Sequence, residues 1–154
     1  MSTNPSPSLS DLYEVDDVAW LEGTAELIRL GRTDAVDFPH LAEYLTDMAI
    51  SERRQVLNRL ATLLSHVLKW HHQPDRRSGG WRATVFEQRR RLNRLAATGV
   101  LRNHADDVLA EAYADAIQAA AFETGLPPEA FPPMCPYTVD QLLTTDLTTD
   151  GPAT

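Results

Sequence analysis

Three histidines and an aspartate lie close together near the middle of the chain: His66, His71, His72 and Asp75. Imidazole and carboxylate groups bind zinc and iron, but a metal site needs ligands that converge on one point. At about 100° per residue on a helix, His66 lies about 140° away from His71. We therefore predict no metal site and no bound cofactor, and we expect His71 to be a hydrogen-bonded residue at the border of an apolar stripe.

Acid–base and nucleophilic chemistry have little support in the sequence. His40 and Glu43 have the i, i+3 spacing of neighbours on a helix, but one such pair is common on any helix surface. The chain contains neither a G-x-S-x-G motif nor a cysteine–histidine signature. Cys135, the only cysteine, lies among prolines and is expected to be a small apolar anchor. We predict no catalytic residues and no enzymatic activity.

A cluster of basic and aromatic side chains is the strongest chemical signal. It surrounds a turn through Pro74 and the Gly79-Gly80 pair. Its members combine charge for phosphate contact with rings for stacking. The candidate binding residues are Lys69, Trp70, Arg76, Arg77, Trp81, Arg82, Arg89, Arg90 and Arg91, and Arg94 belongs to the same cluster.

Charge is distributed unevenly along the chain. Residues 1–50 and 103–154 have net charges of -8 and -9, whereas residues 51–102 have a net charge of +9. The whole chain has an isoelectric point near 5.0, which is low for a nucleic-acid-binding domain. We expect the acidic ends to neutralise much of the basic middle, and a free patch for an acidic protein or for phosphates stays an open alternative.

Hydrophobic spacing places this cluster on helices. Apolar residues recur at helical intervals over about residues 17–31, 39–50, 51–71, 81–98 and 101–124. Ser51 is expected to cap the longest of these helices, and Trp81 to open the next. The predicted fold is an all-α bundle of about five main helices, with a proline-rich C-terminal wrap and a short terminal helix that Thr138 caps.

The ends of the chain lack this periodicity. We predict disordered tails over residues 1–11 and 146–154 and a single helical domain over residues 12–145. The start has no signal-peptide pattern and the chain no membrane-length apolar run, so we expect a soluble cytoplasmic protein without membrane contact. Arg53 begins the apolar face of the longest helix, and we expect it to be half-buried against Glu43 or Asp47 on the preceding short helix.

Four segments resemble a known family. They are DDVAWLE at 16–22, DMAISERR at 47–54, HVLKWHHQPDRRSGGWRATVFEQRRR at 66–91 and AYADAIQAAAFETGLPPEAFPPMCPYTVDQLL at 112–143. With these segments the sequence resembles the bacterial domain-of-unknown-function family 29, which implies an all-helical fold and no established activity. In that family Ser often precedes the tryptophan that opens the helix, whereas this chain has Gly80, a weaker cap.

The functional hypothesis is a non-catalytic protein-interaction module that uses the arginine-rich turn around residues 74–91. The alternative is a nucleic-acid-associated protein that uses the same arginines on phosphates. An enzyme is the third and least supported class.

Overall fold

The computed structural model describes residues 8–149, and its regular structure consists of helices. The six α-helices are α1 (Leu9–Val15), α2 (Asp17–Arg29), α3 (Phe38–His72), α4 (Gly79–Ala96), α5 (Gly99–Thr124) and α6 (Val139–Thr144). Short 3-10 turns cover Thr33–Ala35, Pro74–Arg76 and Pro128–Ala130. No β-strand occurs within residues 8–149, which confirms the all-α fold.

Helix α3 is the main difference from the predicted helix pattern. The sequence predicted a short helix from Pro39 and a separate one capped by Ser51, but residues 38–72 form one continuous helix of 35 residues. Serine inside a helix costs only a few tenths of a kcal/mol relative to alanine, about 0.5, so a cap residue alone does not end an amphipathic helix. The main helices therefore number four, α2 to α5, instead of the five predicted.

The continuity of α3 also corrects the interpretation of Arg53. The predicted pairing assumed that Glu43 and Asp47 lie on a different helix from Arg53, but all three residues belong to α3. Their spacings of ten and six residues are not the i, i+3 or i, i+4 spacings that bring side chains together on one helix. Arg53 is exposed, so the expected half-burial is wrong.

The chain divides into two compact units, with the boundary between Ala49 and Ile50. In the described part of the first unit, residues 8–49, Trp20 is fully buried. The Tyr13 ring contacts the Trp20 ring edge-on, with centroids 4.8 Å apart, and the Tyr44 ring lies 5.8 Å from Trp20. Leu9 of α1 packs against Gly23 of α2 so closely that a Cβ at residue 23 would lie 2.6 Å from the Leu9 side chain.

In the second unit, described over residues 50–149, α3 to α6 enclose one apolar core. Helix α3 contributes the predicted stripe of Val56, Leu60, Leu63, Leu64, Val67 and Leu68. Helix α5 contributes small residues, among them Ala112, Ala116 and Ala120, which permit close approach of the neighbouring helices. This core positions α4, which carries most of the predicted binding residues, against α3, α5 and α6.

The C-terminal part of the second unit follows the predicted pattern. Helix α5 ends at Gly125, whose φ of +73° suits glycine best. The proline-rich wrap, residues 126–138, buries Phe131, and the Tyr113 hydroxyl donates to the Pro132 carbonyl at 2.6 Å. Thr138 caps α6 in a capping box with Gln141, as predicted.

At both ends of the chain, the described structure extends into the predicted disordered tails. Helix α1 begins at Leu9, with Ser8 and Asp11 forming its capping box, so the predicted disorder is wrong for residues 8–11. It is also wrong for residues 146–149, where Thr148 is buried and Leu147 packs on the core. The rest of the predicted tails, residues 1–7 and 150–154, lies outside the described residues, and the single domain over 12–145 stays a prediction.

Within residues 8–149, no helix combines the length and the hydropathy that crossing a bilayer requires.

Candidate binding faces of helix α4

The turn that joins α3 to α4 is held by several of the predicted binding residues themselves. Arg77 Nε donates to the Trp70 carbonyl at 2.8 Å, and its guanidinium lies 4.8 Å from the centre of the Trp70 ring. Gln73 Nε2 donates to the Thr124 carbonyl at 3.2 Å and ties the turn to the end of α5. Trp70 and Arg77 are half-buried, whereas Arg76 is exposed. The turn is therefore a packed structural element with one free cation, Arg76, among its described side chains.

Lys69 has a structural role in place of the predicted binding role. Its side chain is 4% exposed, and its ammonium forms an ion pair with Glu123 of α5. The same nitrogen lies 5.1 Å from the centre of the half-buried Trp81 ring, which adds a cation–π contact. A buried and paired ammonium cannot contact an external partner, so Lys69 is removed from the candidate binding set.

Helix α4 begins two residues earlier than predicted. Its first helical residue is Gly79, and the Ser78 side chain accepts a hydrogen bond from the Trp81 N–H at 3.2 Å. Ser78 therefore supplies the cap that Gly80 was expected to supply poorly. The earlier start fixes which residues of α4 share a face, because positions three and four apart lie together on a helix.

The arginines of α4 line two different grooves, and the buried stripe of the helix contains Val85, Leu92 and Ala96. The first, here the Phe86 face, consists of Gly79, Arg82, Ala83, Phe86 and Arg89 and borders a groove of about 320 Å³ with Asp146 and Thr148. The second, here the arginine groove, has a volume of about 350 Å³ and is lined by Gln55, Arg59, Arg90, Arg91, Arg94 and Leu95. The predicted run Arg89, Arg90 and Arg91 thus contributes to two different surfaces.

On the Phe86 face an aromatic ring lies between two guanidinium groups. Phe86 is 58% exposed, and Arg82 and Arg89 precede and follow it by one turn. Arg82 lies 3.8 Å from the carboxylate of Asp146. Hydrogen bonds from Thr148, followed by the nearby charges of Arg89 and Arg82, lower the pKa of Asp146. The face therefore already holds one carboxylate, supplied by the end of the second unit.

In the arginine groove, carboxylate pairing comes from α4 itself. Arg90 binds Glu87 through two hydrogen bonds of 2.9 and 2.8 Å, and Arg91 binds it through one of 2.6 Å. These bonds lower the pKa of Glu87 to about 2. Arg59 of α3 donates to the neutral side chain of Gln88 at 3.3 Å. Within residues 50–149, neither Arg59 nor Arg94 has a carboxylate partner within 4.0 Å.

Sequence reasoning identified the arginines but missed Phe86, Gln55 and Arg59. Phe86 could have been found from its i, i+4 and i+3 spacing to Arg82 and Arg89, which places all three on one helix face. Gln55 and Arg59 lie on α3, and only the packing of α3 against α4 brings them to the groove. No local sequence pattern predicts that packing.

The histidines have separate structural contacts. His71 Nε2 donates to the Leu147 carbonyl at 2.7 Å, which confirms a hydrogen-bonded border position, and His66 Nδ1 donates to the Thr62 carbonyl at 2.9 Å. His72 packs edge-on against Phe131. Across residues 8–149, no three His, Cys, Asp or Glu side chains are grouped so that they could hold a metal ion.

Two other residues considered for chemistry also have defined partners. His40 pairs with Asp37 through Nδ1 at 2.6 Å. Cys135 is half-buried and its thiol donates to the Tyr137 carbonyl at 3.3 Å, consistent with an anchor of the wrap.

Fold and surface together define an all-helical protein in which one helix presents two separate cationic faces. A family model described as domain of unknown function DUF29 matches residues 12–148. The match covers most of the sequence, so the chain belongs to the DUF29 family, as its motifs indicated. No curated protein and no solved structure gives a significant match.

Proposed function

We propose that this chain is a non-catalytic protein-interaction module that binds an acidic segment of another protein on the Phe86 face. One observation carries the proposal: an exposed phenylalanine lies between two arginines on one helix face that already holds a carboxylate. The face lies within residues 74–91, the region that the sequence indicated.

The chemistry of the face suits a protein partner. Aromatic residues and arginine are enriched at protein interfaces and supply most of their hot spots. Phe86 offers an apolar contact, while Arg82 and Arg89 can each form paired hydrogen bonds with a carboxylate. Asp146 lines the same groove, with its carboxylate 3.8 Å from Arg82, so the face accommodates a carboxylate beside its arginines.

Net charge supports a protein over a nucleic acid. The chain has a net charge of -8, which opposes a long polyanion more than a short acidic segment. The alternative function, association with nucleic acid through the same arginines, predicts binding that weakens steeply as salt increases. Non-catalytic action, a soluble state and a cytoplasmic location stay predictions from the sequence.

Affinity capture with matched variants tests the proposal. The wild-type chain, Phe86→Ser and Phe122→Ser are used as baits, since Phe122 is 90% exposed on α5 and provides the matched control. The expected result is a protein retained by wild type and Phe122→Ser and lost with Phe86→Ser. An acidic peptide from that protein is then titrated by fluorescence anisotropy, where Phe86→Ser should weaken Kd about 30-fold, as for a hot-spot residue.

Two results would contradict the proposal. Capture that Phe86→Ser leaves unchanged would remove the Phe86 face as the binding surface. Binding of single-stranded DNA or RNA that falls steeply with salt and is weakened by Arg89→Ala or Arg90→Ala would favour the nucleic-acid alternative.

A further inference from the structure

The arginine groove is a second surface, separate from the Phe86 face. Gln55 and Arg59 lie one turn apart on α3, and Arg90 and Arg94 lie one turn apart on α4. Two helix faces thus bring four guanidinium groups to one groove of about 350 Å³. Among the described residues that line the groove, Leu95 is the only apolar one and none is aromatic.

The charge of the groove is only partly balanced. Glu87 contributes one negative charge, which Arg90 and Arg91 share. Arg59 bonds a neutral amide, and Arg94 is exposed. Within residues 50–149 the groove therefore has an excess of about three positive charges, and four like charges in one groove repel one another unless an anion lies between them.

We propose that the arginine groove binds a small phosphate-bearing molecule through its phosphate group. Guanidinium forks form paired hydrogen bonds with phosphate oxygens, and several of them can surround one tetrahedral oxyanion. A phosphate carries close to two negative charges at neutral pH, which matches the local excess better than a single carboxylate does. The proposal goes beyond the proposed function and uses none of the residues of the Phe86 face.

The lining limits the size and the type of the ligand. Proteins that bind single-stranded nucleic acid combine a basic groove with aromatic side chains on which bases stack, and this lining has none. The net charge of -8 also opposes a long polyanion more than a small one. A free phosphate or diphosphate and a phosphate monoester of a small molecule share the chemistry that the groove recognises.

Isothermal titration calorimetry of the full chain at low ionic strength tests the site. Sodium pyrophosphate, sodium phosphate and ribose 5-phosphate distinguish the free anions from a monoester, and sodium sulfate at matched ionic strength controls for charge. Arg94→Gln should weaken binding of the best phosphate ligand about tenfold or more, as expected for one charged hydrogen bond. Arg53→Gln, which removes an exposed arginine of α3 outside the groove, should leave the affinity unchanged.

A variant that is expected to strengthen phosphate binding distinguishes a binding role of the groove from a structural one. Glu87→Gln removes the carboxylate that engages Arg90 and Arg91 and should therefore tighten phosphate binding several-fold. Phe86→Ser should not alter it, so loss of the proposed protein binding and loss of phosphate binding are independent results. Circular dichroism of each variant checks that the helices are retained.

Three outcomes would overturn the proposal. The first is no measurable heat with any phosphate ligand at millimolar concentration. The second is equal weakening by Arg53→Gln and Arg94→Gln, which would indicate general charge attraction. The third is a single-stranded oligonucleotide that binds the groove more tightly than every small phosphate, which would assign it to nucleic acid.

Discussion

The ion pair of Lys69 with Glu123 is unequal, because only one partner is buried. The Lys69 side chain is 4% exposed and that of Glu123 is 49% exposed. Removing Glu123 leaves an ammonium in the core with the Trp81 ring as a weak partner, whereas removing Lys69 leaves a carboxylate that water can reach. The stability cost should therefore depend on which partner is changed.

We expect Glu123→Ala to lower the free energy of unfolding by about 2 kcal/mol. Lys69→Met, which fills the same space with an apolar chain, should cost less than about 1 kcal/mol. Urea denaturation measures both values, and Glu111→Ala, an exposed acid of the same helix, is the control. If the two variants lost equal free energy of unfolding, the burial of Lys69 would not determine the cost of breaking the ion pair.

Glu87 predicts a specific pH dependence. Hydrogen bonds from Arg90 and Arg91 lower its pKa from 4.5 to about 2 in the folded protein. Folding therefore favours the ionised carboxylate, and this contribution to stability is fully present above about pH 4.5 and is lost as the pH falls through about 2. The difference in urea midpoint between wild type and Glu87→Gln should shrink over this range. A difference that does not change with pH would exclude the ion pairs as its cause.

At the scale of elements, the start of α4 depends on Ser78. Ser78→Ala removes the side-chain acceptor for the Trp81 N–H and should cost about 1 kcal/mol. Thermal unfolding followed by circular dichroism measures the change, and Ser78→Asp should retain the cap. If Gly80 were the cap instead, Ser78→Ala would have no effect on the melting temperature.

Gly80 lies inside the first turn of α4 and has room for a side chain, since a Cβ would lie 3.6 Å from Ser78 Oγ, an ordinary contact. Because glycine is a poor helix former, Gly80→Ala should stabilise the chain by about 0.5–1 kcal/mol. The same thermal unfolding experiment measures it, and a lower melting temperature would show that Gly80 is needed for more than its position in the helix.

A proline substitution tests whether α3 is one continuous helix or two helices, the second of them capped by Ser51. If Ser51 capped a new helix, Glu52 would be its first residue, where proline is tolerated. In one continuous helix, Glu52→Pro removes an internal hydrogen bond and should cost about 3 kcal/mol or more. Glu52→Ala is the control, and its effect on the free energy of unfolding should stay within about 0.5 kcal/mol.

Helix ends were predictable where several local signals agree. Gly125 after an alanine-rich run, and Thr138 three residues before Gln141, each combine a cap residue with a change in periodicity. At Ser51 the cap residue is the only stop signal, and it lies within an apolar pattern through which a helix can continue. The predicted break failed because local capping energies are small beside the packing of a long helix face.

The sequence predicted which residue types form the candidate site, but it did not predict how they are arranged in space. The sequence shows that arginines are concentrated between residues 76 and 94, but their grouping depends on the register of α4 and on which helix packs beside it. Lys69, one of the predicted binding residues, is buried. Its partner, Glu123, is 54 residues away in sequence, beyond the reach of any local signal.

At the scale of the whole molecule, the acidic C-terminal third does pair with the basic middle, though only in part. Glu123, Asp140 and Asp146 form ion pairs with Lys69, Arg102 and Arg82. Within residues 50–149, Arg59, Arg89 and Arg94 have no such carboxylate within 4.0 Å. All three of these arginines line the two grooves for which we propose partners, Arg89 at the Phe86 face and Arg59 and Arg94 in the arginine groove.

The last described residues contribute to this pairing and to the core, so they should affect stability. Deleting residues 146–154 removes the buried Thr148, the packed Leu147 and the hydrogen bond of His71. Relative to deletion of residues 150–154 alone, we expect a loss of about 2 kcal/mol in the free energy of unfolding. Equal urea midpoints for the two truncated chains would restore the interpretation of residues 146–149 as a dispensable tail.

The proline-rich wrap has few backbone hydrogen-bond donors, because five of its thirteen residues are proline. Side chains such as Phe131 and Cys135 must therefore hold it, and burial raises the pKa of the Cys135 thiol. A shielded thiol with a raised pKa reacts slowly. The rate at which this single cysteine is labelled therefore measures how often the wrap detaches. Labelling that is faster than global unfolding would show that the wrap opens while the four long helices stay folded.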